Sequence, residues 1–377
     1  MESTSLVVIG AGPYGVATAA RAMEQGIDTV VLGRPMSFWT DHMPSGMFLR
    51  SGLDWHLDAS GIHTFEAYVD DAGIARDGLD PIPISVFLEY GAWFLDQKRI
   101  VPRDDLVVDV TKANGRFEVL TELGVTIAAD AVVAAPGTAC FEALPDWAPM
   151  VPDGLSSHTC DFVDFERLRG ARVLIVGGRQ SAYEWAALIG EAGAERIDIV
   201  HRHDEPRFEH VSWKFVDPYM DQTVGVPGWW RHLTPDERDA ISRQFWSVGR
   251  LTLEWWLTPR LTGEVFHRWA GVSVLDVHDG PHDGEVTVTL SSDDRLTVDY
   301  VVFATGYKGN IENVPYLHGV SDLVETADGF PVLDESLQST CPGLYFTGFS
   351  ATRDFGPFFG FTRGCPVAAT LVAANLV

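Results

Sequence analysis

The sequence contains few cysteines, little positive charge and no long apolar run. Its four cysteines, at positions 140, 160, 341 and 365, form no CxxC pair and no metal-binding spacing, so reduced thiols and no metal are expected. The 27 Lys and Arg residues are outnumbered by 53 Asp and Glu residues, and the net charge of −26 disfavours nucleic acid and anionic membranes as partners. Neither a signal peptide nor a run of about 18 apolar residues is recognisable, which predicts a cytoplasmic protein without a membrane span.

A glycine-rich turn lies near the start of the chain, between a predicted strand at residues 6–9 and a predicted helix at residues 16–25. The turn reads Gly10-Ala11-Gly12-Pro13-Tyr14-Gly15, and a second strand is expected at residues 29–32. In such a βαβ unit the first glycine permits a sharp turn, the second lets the backbone approach a pyrophosphate, and the third lets the helix pack on the strand. The helix N-terminus then faces the phosphates, so a dinucleotide site is predicted.

One usual part of this site is absent. An acidic residue is expected at the end of the second strand, where it would hold the ribose hydroxyls. Gly33 stands there instead, followed by Arg34. Either Arg34 lies against the adenine or its ribose, or it is a solvated surface residue.

A second unit of the same kind begins at residue 172. A strand at residues 172–176 leads into the turn Gly177-Gly178-Arg179-Gln180-Ser181-Ala182, then a helix at residues 183–192 and a strand at residues 197–200. Arg179 replaces the second glycine, so it either pairs with the phosphates itself or leaves a weakened site. Arg202, just beyond the last strand, suits the 2′-phosphate of NADPH or is a surface charge.

The length of 377 residues and the apolar content of 46% favour two domains. Strands at residues 131–134 and 300–303 end at Pro136-Gly137 and Ala304-Thr305-Gly306, and each closes one unit. The simplest arrangement inserts the second unit into the first. This predicts an α/β fold of two Rossmann-like, three-layer (ββα) domains: residues 1–160 with 310–377, and residues 161–309.

The segment at about 205–270 differs from its surroundings, because it holds seven of the twelve tryptophans. A capping box at Thr234 with Pro235 predicts a helix start, and Pro259 is expected to end that helix or a second one. The segment is either a helix pair used for packing or a dimer face, or an aromatic wall over a substrate pocket. Its exposed aromatic residues are compatible with a homodimer.

Together these motifs resemble those of the class B flavoprotein monooxygenases, which include flavin-containing monooxygenases, Baeyer–Villiger enzymes and ornithine or lysine N-hydroxylases. The resemblance spans nearly the whole chain and includes Trp39 and residues 10–15, 154–158, 180–182, 304–307 and 342–348. The linker motif of the group, FxGxxxHxxx followed by an aromatic residue, has Pro152 in place of its phenylalanine but keeps His158 in register. That histidine is expected to be structural or gating. Thioredoxin-reductase-like enzymes share the two-site plan but need a CxxC pair, which this chain lacks.

The resemblance implies FAD in the first domain and NADPH in the second. It also implies oxygenation of a small organic substrate by O2 through a C4a-(hydro)peroxyflavin, with nitrogen as one candidate atom. The residues expected to contact FAD are Gly10, Gly12, Pro13, Tyr14, Gly15, Gly33, Arg34, Trp39, Val110, Ala135, Gly137, Gly348, Phe355 and Gly356. Those expected to contact NADPH are Gly177, Arg179, Gln180, Ser181, Arg202, Ala304, Thr305 and Gly306.

Two segments are predicted to face the flavin. The first contains Arg50, Asp54 and His56, which are the candidate catalytic residues or, alternatively, ordinary loop and core residues. The second, residues 353–357, leads into a final helix whose N-terminus would stabilise negative charge at the flavin N1–O2 edge. Two other functions stay open. One is a flavin-dependent dehydrogenase or oxidase with a weakened nicotinamide site, and the other is a flavin-binding sensor or partner subunit without turnover.

Overall fold

Helices and strands alternate along the chain in the computed structural model, which describes residues 2–376. The strands are β1 (Glu2–Ile9), β2 (Thr29–Leu32), β3 (Phe48–Leu49), β4 (Ile82–Pro83), β5 (Val107–Ala113), β6 (Arg116–Thr121), β7 (Thr126–Ala134), β8 (Ser156–His158), β9 (Arg172–Val176), β10 (Arg196–His201), β11 (Arg207–Glu209), β12 (Thr252–Glu254), β13 (Phe266–Ala270), β14 (Val274–Asp279), β15 (Val286–Leu290), β16 (Arg295–Val298), β17 (Tyr300–Phe303), β18 (Thr326–Ala327), β19 (Phe330–Pro331) and β20 (Leu344–Phe346). The α-helices are α1 (Pro13–Glu24), α2 (Ser37–Asp41), α3 (Phe65–Asp71), α4 (Ile84–Gln97), α5 (Gln180–Glu191), α6 (Asp217–Gly225), α7 (Trp229–His232), α8 (Pro235–Gln244), α9 (Thr352–Phe355) and α10 (Cys365–Asn375). Short 3₁₀ helices fill many of the connections, and a π-helix spans Phe245–Arg250.

The first sheet has the order β2-β1-β7-β6-β5, and β20 also pairs with β7. Strands β2, β1, β7 and β20 run parallel, so their carboxyl ends meet at one edge of the sheet. The apolar run of β1 follows from burial on both faces, since Leu6, Val7 and Val8 have no exposed surface.

The second sheet is wholly parallel, with the order β13-β10-β9-β17-β8. Alternate residues of β9 face opposite layers: Val173 and Ile175 pack with α5, whereas Leu174 packs with β14–β16. All five strands lie between β7 and β20 in the sequence, so the predicted α/β fold with one unit inserted in the other is confirmed. The domain boundaries stay a prediction, and β8 joins the second sheet although it precedes residue 160.

The segment at 205–270 is less helical than predicted. The capping box is present, because the Thr234 hydroxyl accepts from the Glu237 N–H and the Glu237 carboxylate accepts from the Thr234 N–H. Pro259 does not end α8, which stops at Gln244 and is followed by the π-helix, but a short 3₁₀ helix at Trp255–Leu257 ends just before Pro259, which begins another. Strand β13 is an edge strand of the second sheet rather than part of a helical insertion. Within residues 2–376, no helix combines the length and apolar character needed to cross a bilayer.

Candidate functional site

The first glycine turn joins β1 to α1, and its glycines differ in what surrounds them. Gly10 has a φ of +106°, and a Cβ there would stand 2.3 Å from the Ala135 carbonyl oxygen. A Cβ on Gly15 would stand 1.8 Å from the Gly10 carbonyl oxygen, so strand and helix approach too closely for any side chain. A Cβ on Gly12 would meet no atom of the described residues within 4 Å. The space beside Gly12 is therefore open to a ligand.

Helix α1 begins with groups that suit an anion. Gly12 is its N-cap residue and offers no side chain, while Pro13 occupies the first helical position. No acidic residue stands in its first turn. The uncapped backbone N–H groups and the positive end of the helix dipole therefore face the open space, an arrangement that attracts phosphate.

Two other predicted FAD segments meet this turn. The Ala135 N–H donates to the Ile9 carbonyl oxygen at 2.9 Å, which brings the end of β7 and Gly137 to the same edge. A Cβ on Gly348 would stand 3.2 Å from the Tyr14 ring. The Tyr14 hydroxyl also donates to the Phe361 carbonyl oxygen at 2.8 Å. The turn, the end of β7 and the segment after β20 thus form one surface.

Gly33 lies against the same turn. Its φ is +116°, and a Cβ there would stand 3.5 Å from the Ala11 backbone nitrogen. An aspartate at this position would be strained by that φ, which accounts for the missing ribose acid. Arg34 is exposed and pairs with Asp41 at 3.2 Å.

The structure separates Val110 from the turn. Val110 is completely buried within β5, and β6 and β7 stand between β5 and β1 in the sheet. Trp39 is half-buried and packs on Phe87, with ring centroids 4.7 Å apart. Val110 is thus surrounded by protein, and its contact with FAD stays an untested prediction.

The second glycine turn repeats the geometry of the first. A Cβ on Gly177 would stand 2.3 Å from the Ala304 carbonyl oxygen, the same distance as between Gly10 and Ala135. Gly178 is closely packed, since a Cβ there would stand 2.4 Å from the His201 ring. Arg179 is the N-cap residue of α5, and its side chain leaves the turn to lie 3.9 Å from the centre of the Trp246 ring.

Arg202 is exposed just after β10, near Arg179. Among residues 2–376, no carboxylate lies within ion-pair distance of either guanidinium. Burial and the charge of Arg202 lower the pKa of Arg179. Two unneutralised arginines in a strongly acidic chain form a local anion-attracting surface.

The other residues predicted for NADPH have structural contacts of their own. The Gln180 amide donates to Glu184 at 3.0 Å and accepts from the Glu254 N–H at 3.1 Å, which ties α5 to β12. The Thr305 hydroxyl donates to the Ala143 carbonyl oxygen at 2.5 Å, whereas Ser181 is exposed. Gln180 therefore stabilises the turn through its bonds to Glu184 and Glu254, whereas Ser181 is exposed to solvent.

Arg50 lies between the two units. It donates to the Glu254 carboxylate and to the Thr252 carbonyl oxygen, both at 2.9 Å, and its guanidinium lies 5.1 Å from the centre of the Trp213 ring. The side chains of Arg50 and Glu254 are 17% and 3% exposed. Burial raises the pKa of Glu254 and lowers that of Arg50, although each charge opposes the shift of the other.

His56 belongs to a different environment. Its Nδ1 atom is buried and has no hydrogen-bond partner among the described residues. Burial lowers the pKa of His56, while Asp58 and Asp54 oppose the shift. Asp54 itself is exposed. The imidazole is therefore neutral at pH 7, and its buried Nδ1 atom is left without a hydrogen bond to the described residues.

Asp58 fixes the loop that carries these residues. It is 2% exposed, accepts from the backbone N–H groups of Ile62 and His63, and pairs with Lys98 at 2.7 Å. Burial opposes its ionisation, but the hydrogen bonds from His63, Lys98 and Ser60 prevail and hold the pKa of Asp58 well below its usual range.

We expect Asp58→Asn to lower the free energy of unfolding by about 3 kcal/mol at pH 7, because it removes one partner of a buried ion pair. A carboxylate with a depressed folded pKa stabilises the protein above its unfolded pKa of about 4 and loses that contribution as the pH falls through the folded value. The difference between wild type and variant should therefore shrink below about pH 4 in urea unfolding curves. Asp70→Asn, which removes an exposed pair with Arg76, is the matched control and should change little. A variant as stable as the wild type at pH 7 would contradict this role.

An aromatic cluster covers the C-terminal segment predicted to face the flavin. Trp213 and Phe245 pack on Phe361, with ring centroids 5.5 Å away in each case. The Trp230 indole N–H donates to the Arg353 carbonyl oxygen at 3.1 Å. Trp230 also closes over Gly356, whose Cβ would stand 3.0 Å from the indole. The tryptophan-rich segment therefore packs on the C-terminal part of the chain, while a substrate pocket beneath it and a dimer face stay predictions.

His158 and Cys160 form a contact that the cysteine spacing did not reveal. The Nε2 atom of His158 lies 3.1 Å from the Gly306 carbonyl oxygen and must donate to it, so Nδ1 accepts from the Cys160 thiol 3.0 Å away. Glu142 completes a group whose ligand atoms lie within 4.8 Å of one another. Burial, together with Asp161 and Glu142, raises the pKa of Cys160 to about 12, so the thiol stays protonated. The contacts are those of a structural histidine.

Comparison with known proteins agrees with this geometry. Residues 7–225 match the family model described as pyridine nucleotide-disulphide oxidoreductase. A probable indole-3-pyruvate monooxygenase of Arabidopsis thaliana, YUCCA8, is 25% identical over 383 residues, which cover 91% of this chain and 84% of that protein. A ferredoxin–NADP reductase of Acidiphilium cryptum is 36% identical over 110 residues, so the match spans only 27% of this chain and 30% of the reductase.

Solved structures share the fold over the full length. The ornithine N-hydroxylase of Kutzneria sp. 744, in its structure with reduced FAD, NADP⁺ and L-ornithine, has a TM-score of 0.82 at 16% identity, and the match covers 99% of both chains. The ornithine hydroxylase of Pseudomonas aeruginosa has a TM-score of 0.78 at 16% identity, covering 99% of this chain and 98% of that one. The predicted resemblance to flavoprotein monooxygenases is confirmed.

Proposed function

The chain belongs to the pyridine nucleotide-disulphide oxidoreductase family, and on this premise we propose that it is an FAD-containing, NADPH-using monooxygenase that oxygenates a small organic substrate with O2. The observation that carries the proposal is the pair of matching glycine turns, each of which packs against the end of a neighbouring strand. The first turn has open space beside Gly12, and the second has two arginines, Arg179 and Arg202, beside it. Similarity to a plant monooxygenase over 91% of this chain and 84% of that protein supports the same conclusion.

In this proposal residues 1–160 and 310–377 bind FAD, and residues 161–309 bind NADPH. The open space beside Gly12 receives the pyrophosphate of FAD, and the segments that contain Gly348 and Gly356 face the flavin. Arg179 and Arg202 hold the phosphates of NADPH. The bound flavin would supply hydride acceptance and O2 activation, and the protein supplies position and a dry environment.

Disulfide exchange, which the family description includes, is not proposed for this chain. Cys140, Cys160, Cys341 and Cys365 are all free thiols, and the last three are buried. Burial raises the pKa of Cys365 well above its usual range. A reactive cysteine needs an exposed thiolate, which is the opposite environment.

A flavin-dependent dehydrogenase or oxidase is the second candidate, and Arg179 is the observation that favours it. A side chain stands where an unmodified turn has its second glycine. If this side chain keeps NADPH out, the organic substrate itself must reduce the flavin.

We expect the purified protein to be yellow, to lose its flavin colour when NADPH is added without O2, and to regain it when O2 enters. An absorption band that is neither oxidised nor reduced flavin should form transiently on reoxidation. NADH at the same concentration serves as the control and should reduce the flavin more slowly. Reduction by an organic substrate but not by NADPH would favour the second candidate, and a colourless protein that does not take up added FAD would contradict both.

A further inference from the structure

Three arginines surround the aromatic cluster at the meeting of the two units. Arg50 lies 5.1 Å from the centre of the Trp213 ring, and Arg179 lies 3.9 Å from that of Trp246. Arg250, the last residue of the π-helix, lies 5.0 Å from the ring centre of Phe361.

Arg250 lacks the partner that Arg50 has. Glu254 neutralises Arg50, but within residues 2–376 no carboxylate is in ion-pair distance of Arg250. Its Nε atom is buried without a hydrogen bond among the described residues, while the residue as a whole keeps some exposed surface. Burial and the charges of Arg179 and Arg50 lower the pKa of Arg250 to about 10. A buried polar atom without a partner is costly, so this place in the fold needs an explanation.

Packing against aromatic rings does not satisfy the N–H groups of Arg250. The rings of Phe361, Trp246 and Phe245 lie 5.0–5.9 Å from the guanidinium carbon and attract its charge. They offer no acceptor in the plane of the guanidinium, where its N–H groups point. An anion in that plane would satisfy them and offset the repulsion from Arg50 and Arg179.

We propose that Arg250 is a specificity-determining residue that binds the carboxylate of an apolar or aromatic substrate. This inference rests on the proposed oxygenation and names the class of molecule oxygenated. A carboxylate fits the planar fork of a guanidinium with two parallel hydrogen bonds. Phe361 and Trp246 are the rings beside its guanidinium that keep exposed surface, so the remainder of the substrate that packs against them is apolar. Arg179 stands at the glycine turn next to Arg202, and these two arginines serve the cofactor phosphates instead.

The test is a binding titration of the FAD-loaded protein with phenylacetate and with its neutral analogue phenylacetamide. Binding is followed by tryptophan fluorescence, because Trp213 and Trp246 adjoin the arginines, and by the flavin spectrum. Flavin reduction by NADPH is measured separately, so a failure of the proposed function is recognised independently of carboxylate binding. Arg250→Gln, Arg250→Lys and Arg243→Gln are compared, and Arg243 is an exposed arginine of α8 that serves as the matched control.

The wild type should bind phenylacetate more tightly than phenylacetamide. Arg250→Gln should weaken phenylacetate binding roughly 10- to 100-fold, because the amide can replace at most one of the two hydrogen bonds and carries no charge, and should leave phenylacetamide binding unchanged. The phenylacetate affinity of Arg250→Lys should lie between those of the wild type and Arg250→Gln, and the affinity of Arg243→Gln should match that of the wild type. If Arg250→Gln fails to fold, Arg250→Lys carries the test. Equal affinity for both compounds in the wild type, or a loss of NADPH affinity in the Arg250 variants without a change in carboxylate preference, would overturn the inference.

Discussion

Replacing Gly12 with alanine is expected to leave the protein folded but to remove its yellow cofactor. Gly12 has a φ of −78° and a ψ of −177°, which alanine adopts without strain. Its Cβ would meet no atom of residues 2–376 within 4 Å, so folding has no steric reason to fail. Alanine also reduces the freedom of the unfolded chain, and the apoprotein should be as stable as the wild type or more stable by about 0.5 kcal/mol.

The substitution lowers the affinity for FAD because the new methyl group occupies the space that the pyrophosphate needs. Displacing it from the N–H groups of α1 would weaken two charge-assisted hydrogen bonds of about 1.5 kcal/mol each, so the affinity for FAD should fall roughly 100-fold. Equilibrium dialysis or flavin fluorescence measures this affinity, and thermal unfolding of the apoprotein measures stability. Gly78→Ala is the matched control, since that glycine also has open space for a Cβ and lies outside the turn.

Gly15→Ala should behave in the opposite way. Its Cβ would stand 1.8 Å from the Gly10 carbonyl oxygen, so the strand and the helix must separate and the fold itself should fail. Unimpaired FAD binding by Gly12→Ala would mean that the pyrophosphate lies elsewhere, and a stable, yellow Gly15→Ala protein would contradict the packing described for α1.

The βαβ units could be predicted from the sequence because their constraints are local. Apolar strands, a positive-φ glycine and a following helix occur within a few residues at both turns, and the structure repeats the 2.3 Å approach of Gly10 to Ala135 at Gly177 and Ala304. The helix starts were predicted three residues late: α1 begins at Pro13 and α5 at Gln180, not at residues 16 and 183. Proline is favoured at the first helical position, so the earlier start of α1 could have been found.

Contacts between distant residues could not be predicted in this way. Arg179 lies on Trp246, which is 67 positions further along the chain, and neither residue carries a local signal for the other. Within the π-helix, Gly249 leaves room for the Trp213 ring, which would stand 2.4 Å from a Cβ there and is 36 positions earlier in the chain. Arg250 was missed for the same reason. The tryptophan-rich composition of the segment was the only available hint.

Arg202→Ala is expected to raise the KM for NADPH roughly 10- to 100-fold while leaving the KM for NADH unchanged. Arg202 is exposed after β10, the strand end at which an adenosine ribose is held in such a sheet, and a charge-assisted hydrogen bond to a 2′-phosphate supplies a discrimination of this size. NADH lacks that phosphate and has no contact to lose. The preference should also weaken as salt is added, because the contact is at the surface.

Arg207→Ala is the matched control, since Arg207 is a nearby exposed arginine that already pairs with Glu209 at 3.5 Å. It should leave both KM values unchanged. Arg179→Gly then distinguishes the two roles left open for the second glycine turn: a higher KM for NADPH means that Arg179 pairs with the phosphates, and a lower one means that it obstructs them. An equal rise of both KM values in Arg202→Ala would show that this arginine supports the fold of the site rather than recognising the 2′-phosphate, and the proposed preference for NADPH would then have no residue to account for it.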